Sequence, residues 1–265
     1  MKKFFKRSPF IYDAFKKIYY VFMALYGLTE WFSFKRAFRY ISKKSIPRFI
    51  TLWEDVLPCL QDRSESSSFD KHYVYHTAWA ARILADRRPK THIDISSCLR
   101  FVTLVSAFIP VKFYDFRPAE IELDNLESCR ADILALPFED ASVDSLSCMH
   151  VVEHIGLGRY GDPLDADGDI KAINELCRVL GLGGELLFVV PIGGTAKIMF
   201  NAHRIYTYDL ILEYFSGFDL LEFALIPDDK HPEGLIRHAP PSLADEQIYG
   251  CGCFRFKKPQ IMQIP

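Results

Sequence analysis

THIDISSC (residues 91–98) and ELLFVVPIGG (residues 185–194) mark the two ends of the stretch that decides the fold. Each contains a short apolar run typical of a buried strand, and two similar runs, 111–116 and 142–148, lie between them. Helical patterns separate the runs, and an alternation of strands with helices predicts a parallel sheet covered by helices. Ligands bind at the carboxyl ends of the strands in such sheets. The polar residues that follow each run are therefore the candidates for chemistry.

The composition is that of a globular α/β protein with a basic amino-terminal end. The 265 residues are 49% hydrophobic and 25% charged, which suits one sizeable core. The net charge of -2 conceals an asymmetry, because residues 1–48 contain twelve Lys or Arg and two Asp or Glu. The seven cysteines have no regular spacing, and the close pair Cys251 and Cys253 lacks the second pair that a zinc site needs. We expect reduced thiols and a cytoplasmic location.

The amino-terminal segment is rich in aromatic and basic residues. Its apolar run, 18–28, is shorter than the roughly 20 residues of a spanning helix, and no small-residue cleavage site follows it. Two helical patterns, 9–26 and 29–42, suit either contact with anionic lipid at the inner membrane face or packing on the body or a partner subunit. No nucleic-acid-binding motif is present, so nucleic acid is not an expected partner. We expect peripheral membrane contact through residues 1–48.

The remaining patterns divide the chain into two domains. Residues 1–60 are expected to form a helical extension that includes a short helix over 48–57, and residues 61–265 the main domain. An amphipathic helix is predicted over 69–86 because apolar residues recur at helical spacing before Pro89. Further helices are predicted over 99–108 and 174–180, and further strands over 218–225 and 247–256.

An ordered series of short motifs carries a family resemblance. Asp94 and Asp115 stand 21 residues apart, and Ala131-Asp132, Leu136-Pro137-Phe138, Ser142-Val143-Asp144 and a Glu-x-x-Arg-Val-Leu-x-x-Gly-Gly string at 175–184 follow them. The series resembles the class I S-adenosylmethionine-dependent methyltransferases over residues 69–257. The resemblance implies a three-layer Rossmann-like fold with a mostly parallel seven-stranded sheet, closed by an antiparallel hairpin of the last two strands. Residues 153–165 resemble a small family of unknown function, some of whose members occur among bacterial surface-polysaccharide genes.

The resemblance also implies the cofactor, S-adenosylmethionine, and the residues that contact it. These are Asp94, Ser96, Ser97, Asp115, Asp132 and Ile133. Asp94 and its turn would face the amino-acid end, Asp115 the ribose hydroxyls, and Asp132 the adenine; helix caps or turn acids are the alternative for Asp115 and Asp132. The first turn lacks the family's glycine, which permits positive φ and close backbone approach. Either the serine hydroxyls act as donors in a loop of another shape, or cofactor binding is weak or absent.

The catalytic candidates follow the fourth strand. His150 ends the strand, and Glu153 and His154 lie one helical turn further on. Methyl transfer to a hydroxyl needs in-line alignment and a base, and an imidazole with a pKa of about 6.5 suits that task. His150 is the predicted base, with a structural role in the pocket wall as the alternative. Residues 150–154 also spell His-x-x-Glu-His, but a zinc protease needs that motif on a helix, so no protease is predicted.

No metal site is predicted, although a metal-assisted enzyme that uses His150, His154 and a loop acid stays open. The loop 156–169 resembles a calcium loop only in part, because its glycine is one place early and no glutamate stands at the twelfth position. We interpret the loop as a lid over the acceptor, with a purely structural loop as the alternative. The predicted acceptor contacts are Arg159, Tyr160, Asp162, Asp165, Asn201 and His203.

The resemblance implies S-adenosylmethionine-dependent methylation, and its family context together with the amphipathic amino-terminal segment favours O-methylation of a small molecule, namely a sugar or a surface-glycan precursor. The alternative is a non-catalytic protein with the same fold, acting as a binding or assembly module in polysaccharide biosynthesis. The glycine-free first turn motivates that alternative. No oligomeric state follows from the sequence.

Overall fold

The computed structural model describes residues 27–43, 49–59, 69–228 and 233–260. The chain divides into two compact units, residues 1–68 and 69–265. The predicted helix 9–26 and the predicted domain boundary at residue 60 lie outside the described residues. Within the described ranges, no helix combines the length and the apolar composition that a membrane crossing requires.

The first unit contains a helix over residues 27–43 (α1) and a single 3-10 turn at Trp53–Asp55. The prediction of a helix over 48–57 is therefore wrong for its described part, in which only those three residues are helical. Pro58 explains part of the difference, because a proline disfavours helical backbone at the residue before it. The Trp53 ring meets the rings of Trp31 and Phe38 at centroid distances of 6.3 and 5.0 Å. Aromatic residues of this unit thus pack on one another.

The second unit alternates strands and helices. Its strands are β1 (His92–Ile95), β2 (Val111–Asp115), β3 (Leu126–Arg130), β4 (Val143–Met149), β5 (Leu180–Ile192), β6 (Lys197–Met199), β7 (His203–Ile205), β8 (Asp219–Ile226) and β9 (Gly250–Lys257). Its helices are α2 (Lys71–Arg87), α3 (Leu99–Val105), α4 (Gly168–Val179), α5 (Tyr208–Tyr214) and α6 (Pro241–Asp245), with a 3-10 turn at Val152–His154.

Seven strands form one sheet in the order β3-β2-β1-β4-β5-β9-β8. The pairs β3–β2, β2–β1, β1–β4 and β4–β5 are parallel, and β9 runs antiparallel to both β5 and β8. The prediction of a mostly parallel seven-stranded sheet closed by an antiparallel hairpin is confirmed. The polar edge strand β3 and the small β6–β7 hairpin were not predicted, because neither has an apolar run.

The sheet separates two hydrophobic cores and thereby creates three layers. Along β5, Leu186 and Phe188 point to the side covered by α4, α5 and α6, whereas Leu187 and Val189 point to the side covered by α2 and α3. This alternation follows from the two-residue period of a strand. Each such side chain contributes about 1.5–3 kcal/mol when fully buried. A strand buried on both faces reads as the continuous apolar run seen in the sequence.

The predicted element ends differ from the structure mainly around the glycines before the last parallel strand. The helix predicted over 174–180 begins earlier, at Gly168, and α3 ends earlier than predicted, at Val105. The strand predicted from 185 begins at Leu180 and includes the glycines. A Cβ at Gly184 would lie 2.9 Å from the carbonyl oxygen of Val143, so glycine allows β5 to approach β4 closely.

Candidate functional site

The carboxyl ends of β1, β2 and β4 surround a cleft of about 540 Å³. The chain leaves β1 toward β2 on one side and β4 toward β5 on the other, so the cleft lies at the topological switch point of the sheet. Its volume is within the range of small-molecule and cofactor sites. Eight of the residues predicted from the sequence line it, namely Ser96, Asp115, Asp132, Ile133, His150, His154, Tyr160 and Asp162.

The first turn, which follows β1, achieves a left-handed conformation without glycine. Ser96 has a φ of 54°, and both its backbone N–H and its hydroxyl donate to the carbonyl oxygen of Tyr114, at 2.8 and 3.1 Å. The Ser97 hydroxyl oxygen accepts a hydrogen bond from the backbone N–H of Met149 at 3.0 Å. Both serine hydroxyls therefore hold the turn to the ends of neighbouring strands.

Asp94 lies beneath this turn and is fully buried, so it does not line the cleft. One carboxylate oxygen accepts from the backbone N–H of Ser97 at 3.0 Å, and the other accepts from the Ser147 hydroxyl. The His92 ring extends this chain to the hydroxyls of Ser147 and Ser145, both at 2.8 Å. Burial raises the pKa of Asp94 to about 6, against the effect of these hydrogen bonds. The structure places Asp94 as a support for the turn.

Asp115 and Asp132 project into the cleft with free accepting capacity. One oxygen of Asp115 accepts from the N–H of Arg117 at 2.7 Å, and one oxygen of Asp132 accepts from the N–H of Leu134 at 2.9 Å. Among the described residues, neither second oxygen has a hydrogen-bond partner. These acids are therefore turn acids, and each also presents an open carboxylate oxygen that can accept from a hydroxyl or an amine.

The fourth turn, which follows β4, buries an imidazole in a left-handed conformation. His150 has a φ of 58°, its Nδ1 lies 2.8 Å from Glu153 Oε1, and its Nε2 lies 3.4 Å from Cys251 Sγ. Burial lowers the pKa of His150 to about 4 and raises the pKa of Glu153 to about 7. The imidazole is therefore neutral at pH 7, and its contact with Glu153 is a hydrogen bond rather than a full ion pair.

The hydrogen bonds of His154 show which of its two ring nitrogens carries the proton. Its Nδ1 lies 2.6 Å from the carbonyl oxygen of Ala202, which can only accept, so Nδ1 carries the proton and Nε2 the lone pair. Arg159 Nη1 also approaches Nδ1, at 3.2 Å, but its donation to the Ala202 carbonyl at 2.9 Å is compatible with that tautomer. Nε2 lies 3.8 Å from Glu153 Oε1, and burial lowers the pKa of His154.

The loop after the fourth turn is held together by hydrogen bonds between an acidic side chain and its own backbone. The carboxylate of Asp162 accepts from the backbone N–H groups of Gly156, Gly158 and Tyr160 at 2.7, 3.3 and 3.2 Å. A Cβ at Gly156 would lie 2.0 Å from the carbonyl oxygen of Asp165, so only glycine fits there. The loop holds the half-exposed Tyr160 ring at the cleft.

Six other predicted residues do not line the cleft. They are Ser97, Glu153, Arg159, Asp165, Asn201 and His203. Asp165 binds Lys171 Nζ at 2.5 Å and thereby ties the loop to α4. Glu153 lies behind the fourth turn between the two histidines. The guanidinium of Arg159 covers the Tyr160 ring at 5.2 Å, and that of Arg117 does the same.

Sequence reasoning missed the side chains that surround His150 from other elements. His72 and Tyr73, at the start of α2, stack on its ring with centroid distances of 5.6 and 5.3 Å, and His76 meets it edge-on at 5.1 Å. Cys251 approaches from β9. No local pattern links positions this far apart in the chain, so only the fold brings them together.

One family model matches residues 135–233, and its description reads Caenorhabditis protein of unknown function, DUF268. The match covers less than half of the chain and includes the loop 153–165. Its description mentions neither polysaccharides nor bacteria. No curated protein sequence matches the chain.

A putative sarcosine dimethylglycine methyltransferase from Galdieria sulphuraria has a similar structure, with a TM-score of 0.50 at 14% sequence identity. The match covers 71% of this chain and 86% of that chain. The chain has a methyltransferase fold. At this identity the likeness shows the fold alone.

Two further solved structures are similar at lower scores. One is a Burkholderia thailandensis 1,6-didemethyltoxoflavin-N1-methyltransferase with bound 1,6-didemethyltoxoflavin and S-adenosylhomocysteine, with a TM-score of 0.49, 13% identity, and coverage of 70% of this chain and 79% of that chain. The other is a putative methyltransferase of Haloferax volcanii in complex with the Trm112 methyltransferase activator, with a TM-score of 0.49, 19% identity, and coverage of 72% and 90%.

Proposed function

We propose that this protein is an S-adenosylmethionine-dependent methyltransferase that O-methylates a sugar or a glycan precursor. The observation that carries the proposal is the pair Asp115 and Asp132, each with one carboxylate oxygen open to a cleft at the switch point of a methyltransferase fold. Ribose hydroxyls and the adenine amino group are hydrogen-bond donors, and open carboxylate oxygens accept hydrogen bonds from such groups. The bound cofactor supplies an electrophilic methyl group.

The residues of the chain fit the binding of this cofactor. Ser96 presents a left-handed turn of the kind that brings backbone close to a ligand, and the apolar side chain of Ile133 lies beside Asp132 in the cleft wall. Ser96 at the end of β1 and Asp115 at the end of β2 would hold the cofactor, which would supply a charged sulfonium to a partly apolar cleft. Enclosure strengthens the electrostatic interactions that orient it.

His154 is the residue we assign as the general base. Its Nε2 carries the lone pair, its ring lines the cleft, and Glu153 lies behind it. Nε2 would take the proton of the acceptor hydroxyl as its oxygen is methylated, and S-adenosylhomocysteine would leave. Both nitrogens of His150 already have protein partners, which favours His154 over the residue predicted from the sequence. Tyr160 and Arg117, at the cleft, offer the hydrogen bonds that a sugar needs.

Isothermal titration with S-adenosylmethionine and S-adenosylhomocysteine tests the cofactor half of the proposal. We expect both to bind, and we expect Asp115→Ala to weaken binding about 10- to 100-fold, since a hydrogen bond to a charged group contributes roughly 1.5–3 kcal/mol. Asp219→Ala is the matched control, because Asp219 is exposed at the start of β8. Absence of binding to the folded wild type would favour the non-catalytic alternative. That alternative is supported by the serine hydroxyls of the first turn, which already form hydrogen bonds within the protein.

Transfer of labelled methyl groups to a panel of nucleoside diphosphate sugars tests the catalytic half. We expect His154→Gln to reduce kcat by about 100-fold or more while cofactor binding persists. Burial lowers the pKa of His154 below its usual value, so the wild type should keep its activity into mildly acidic pH and lose it as Nε2 is protonated. Unchanged turnover in His154→Gln would remove His154 as the base.

Peripheral membrane contact through residues 1–48 belongs to the same proposal, and co-sedimentation with anionic liposomes, with and without those residues, tests it.

A further inference from the structure

Three side chains capable of binding a metal converge behind the fourth turn. His72 lies in the first turn of α2, His150 follows β4, and Cys251 is the second residue of β9. Their ligand atoms all lie within 4.8 Å of one another. His150 and Cys251 are buried, whereas His72 is partly exposed, which leaves a route from solvent to the cluster.

The geometry points to a metal site, and we propose that His72, His150 and Cys251 bind one zinc-class divalent ion. Cys251 Sγ and His150 Nε2 are 3.4 Å apart. Tetrahedral zinc with usual bond lengths to sulfur and nitrogen places two such ligands about 3.6 Å apart. The third ligand atom, a ring nitrogen of His72, lies within 4.8 Å of both of them.

Glu153 orients the central ligand. Its Oε1 lies 2.8 Å from His150 Nδ1, so the carboxylate fixes the ring with Nε2 directed at Cys251. Metal-binding histidines commonly donate their other ring nitrogen to a carboxylate in this way, which raises the basicity of the ligand and fixes its tautomer. His150 stands at the end of a strand and Cys251 within one, so the scaffold behind both ligands is rigid.

A second observation marks the same place as incomplete. His76 Nε2 and Glu153 Oε2 are buried, and neither has a hydrogen-bond partner among the described residues. The His76 ring lies 5.1 Å from that of His150. Buried polar atoms are nearly always partnered, and an ion with its bound water is one way to satisfy them.

The donor set selects the class of ion. Thiolate and imidazole suit zinc and its neighbours, whereas magnesium and calcium require oxygen ligands. Three protein ligands leave a fourth tetrahedral position for water or substrate. Binding converts the Cys251 thiol to a thiolate and releases its proton to solvent. This inference does not rest on the proposed methyl transfer, and it assigns His150 as a ligand rather than a base.

The test uses the full chain, reduced, freed of metal by a chelator and titrated with zinc chloride. We expect one zinc per chain, and with cobalt(II) a thiolate-to-metal charge-transfer band in the near ultraviolet. Cys251→Ala and His72→Asn should each weaken zinc binding by more than about 100-fold, and Glu153→Gln by about 10- to 100-fold. Cys251→Ala should also abolish the charge-transfer band.

Matched controls separate ligation from folding. Cys177→Ala removes a partly buried cysteine of α4, which packs on the other side of the sheet, and His238→Asn removes an exposed histidine. Both should bind zinc like the wild type, and circular dichroism should show every compared variant folded. If Cys251→Ala does not fold, His72→Asn at the partly exposed position decides. The proposal is overturned if the wild type binds no stoichiometric zinc, if its cobalt spectrum lacks the band, or if Cys177→Ala weakens binding as much as Cys251→Ala.

Discussion

The first and fourth turns both begin at a residue with positive φ, but the side chains of these two residues have different surroundings. They follow neighbouring parallel strands, β1 and β4, and each begins with a residue other than glycine at positive φ, Ser96 at 54° and His150 at 58°. Such a conformation costs an L-residue roughly 1–2 kcal/mol. At the first turn the side chain bonds back to the strand ends, whereas at the fourth turn the strained backbone inserts a ring among ionisable groups. In the functions proposed above, the first turn supports the cofactor and the fourth carries the base and a metal ligand.

The polar groups behind the two turns show the same contrast. Asp94 has hydrogen bonds to both carboxylate oxygens, and the His92 ring is bonded through both nitrogens. Behind the fourth turn, Glu153 Oε2 and His76 Nε2 have no partner in the described part of the chain. A fully bonded buried network rigidifies a fold, and a partly bonded one indicates a missing partner. The protein therefore has room for a further ligand behind the fourth turn rather than the first.

Glycine at each of the two positive-φ positions should change stability by very different amounts. His150→Gly removes a buried ring and orphans Glu153 Oε1, so we expect a loss of about 4 kcal/mol in the free energy of unfolding. Ser96→Gly relieves strain and loses one hydrogen bond, so we expect a change of less than about 1 kcal/mol. Urea denaturation of metal-free protein, followed by circular dichroism, measures both. Equal losses at the two positions would contradict the assignment of different roles.

The pH dependence of stability tests the buried network of the first turn. Burial raises the pKa of Asp94 from 3.8 to about 6 in the folded chain, so the folded state holds this proton more tightly than the unfolded state. The resulting stability is complete below about pH 4 and is lost as pH rises through 6. Relative to Asp94→Asn, the wild type should therefore lose roughly 3 kcal/mol between pH 4 and pH 7. A constant difference across that range would show that Asp94 is already ionised at low pH.

The sequence predicted the sheet because strands buried on both faces leave continuous apolar runs, as in β5, whereas β3 escaped prediction because an edge strand needs no such run. Asp115 and Asp132 both line the cleft, since acids after strand ends meet at one edge of a parallel sheet, and their contact with a cofactor stays a prediction. The inward direction of Asp94 depends on Ser147 in a neighbouring strand, which spacing along the chain does not encode.

The cluster around His150 could not be predicted from the sequence for the same reason. Its members come from α2, the fourth turn and β9, and their proximity follows from the order of the strands rather than from any motif. The string His-x-x-Glu-His drew attention to His150 and Glu153, and the structure keeps that pair in contact at 2.8 Å. Its second histidine, His154, lines the cleft as His150 does, and the two are not ligands on one helix face because a 3-10 turn rather than an α-helix follows β4.

A hydrogen bond joins the first turn to the last residue of β4, and its removal should have a small effect on the free energy of unfolding. The Met149 N–H donates to Ser97 Oγ at 3.0 Å, so Ser97→Ala leaves a buried donor unpaired and should cost about 1–2 kcal/mol in the free energy of unfolding. Ser142→Ala, which removes an exposed hydroxyl, should change it by less than about 0.5 kcal/mol. Because Ser97 does not line the cleft, its variant should bind S-adenosylmethionine within about 2-fold of the wild type. A larger loss of affinity would return Ser97 to the cofactor contacts predicted from the sequence.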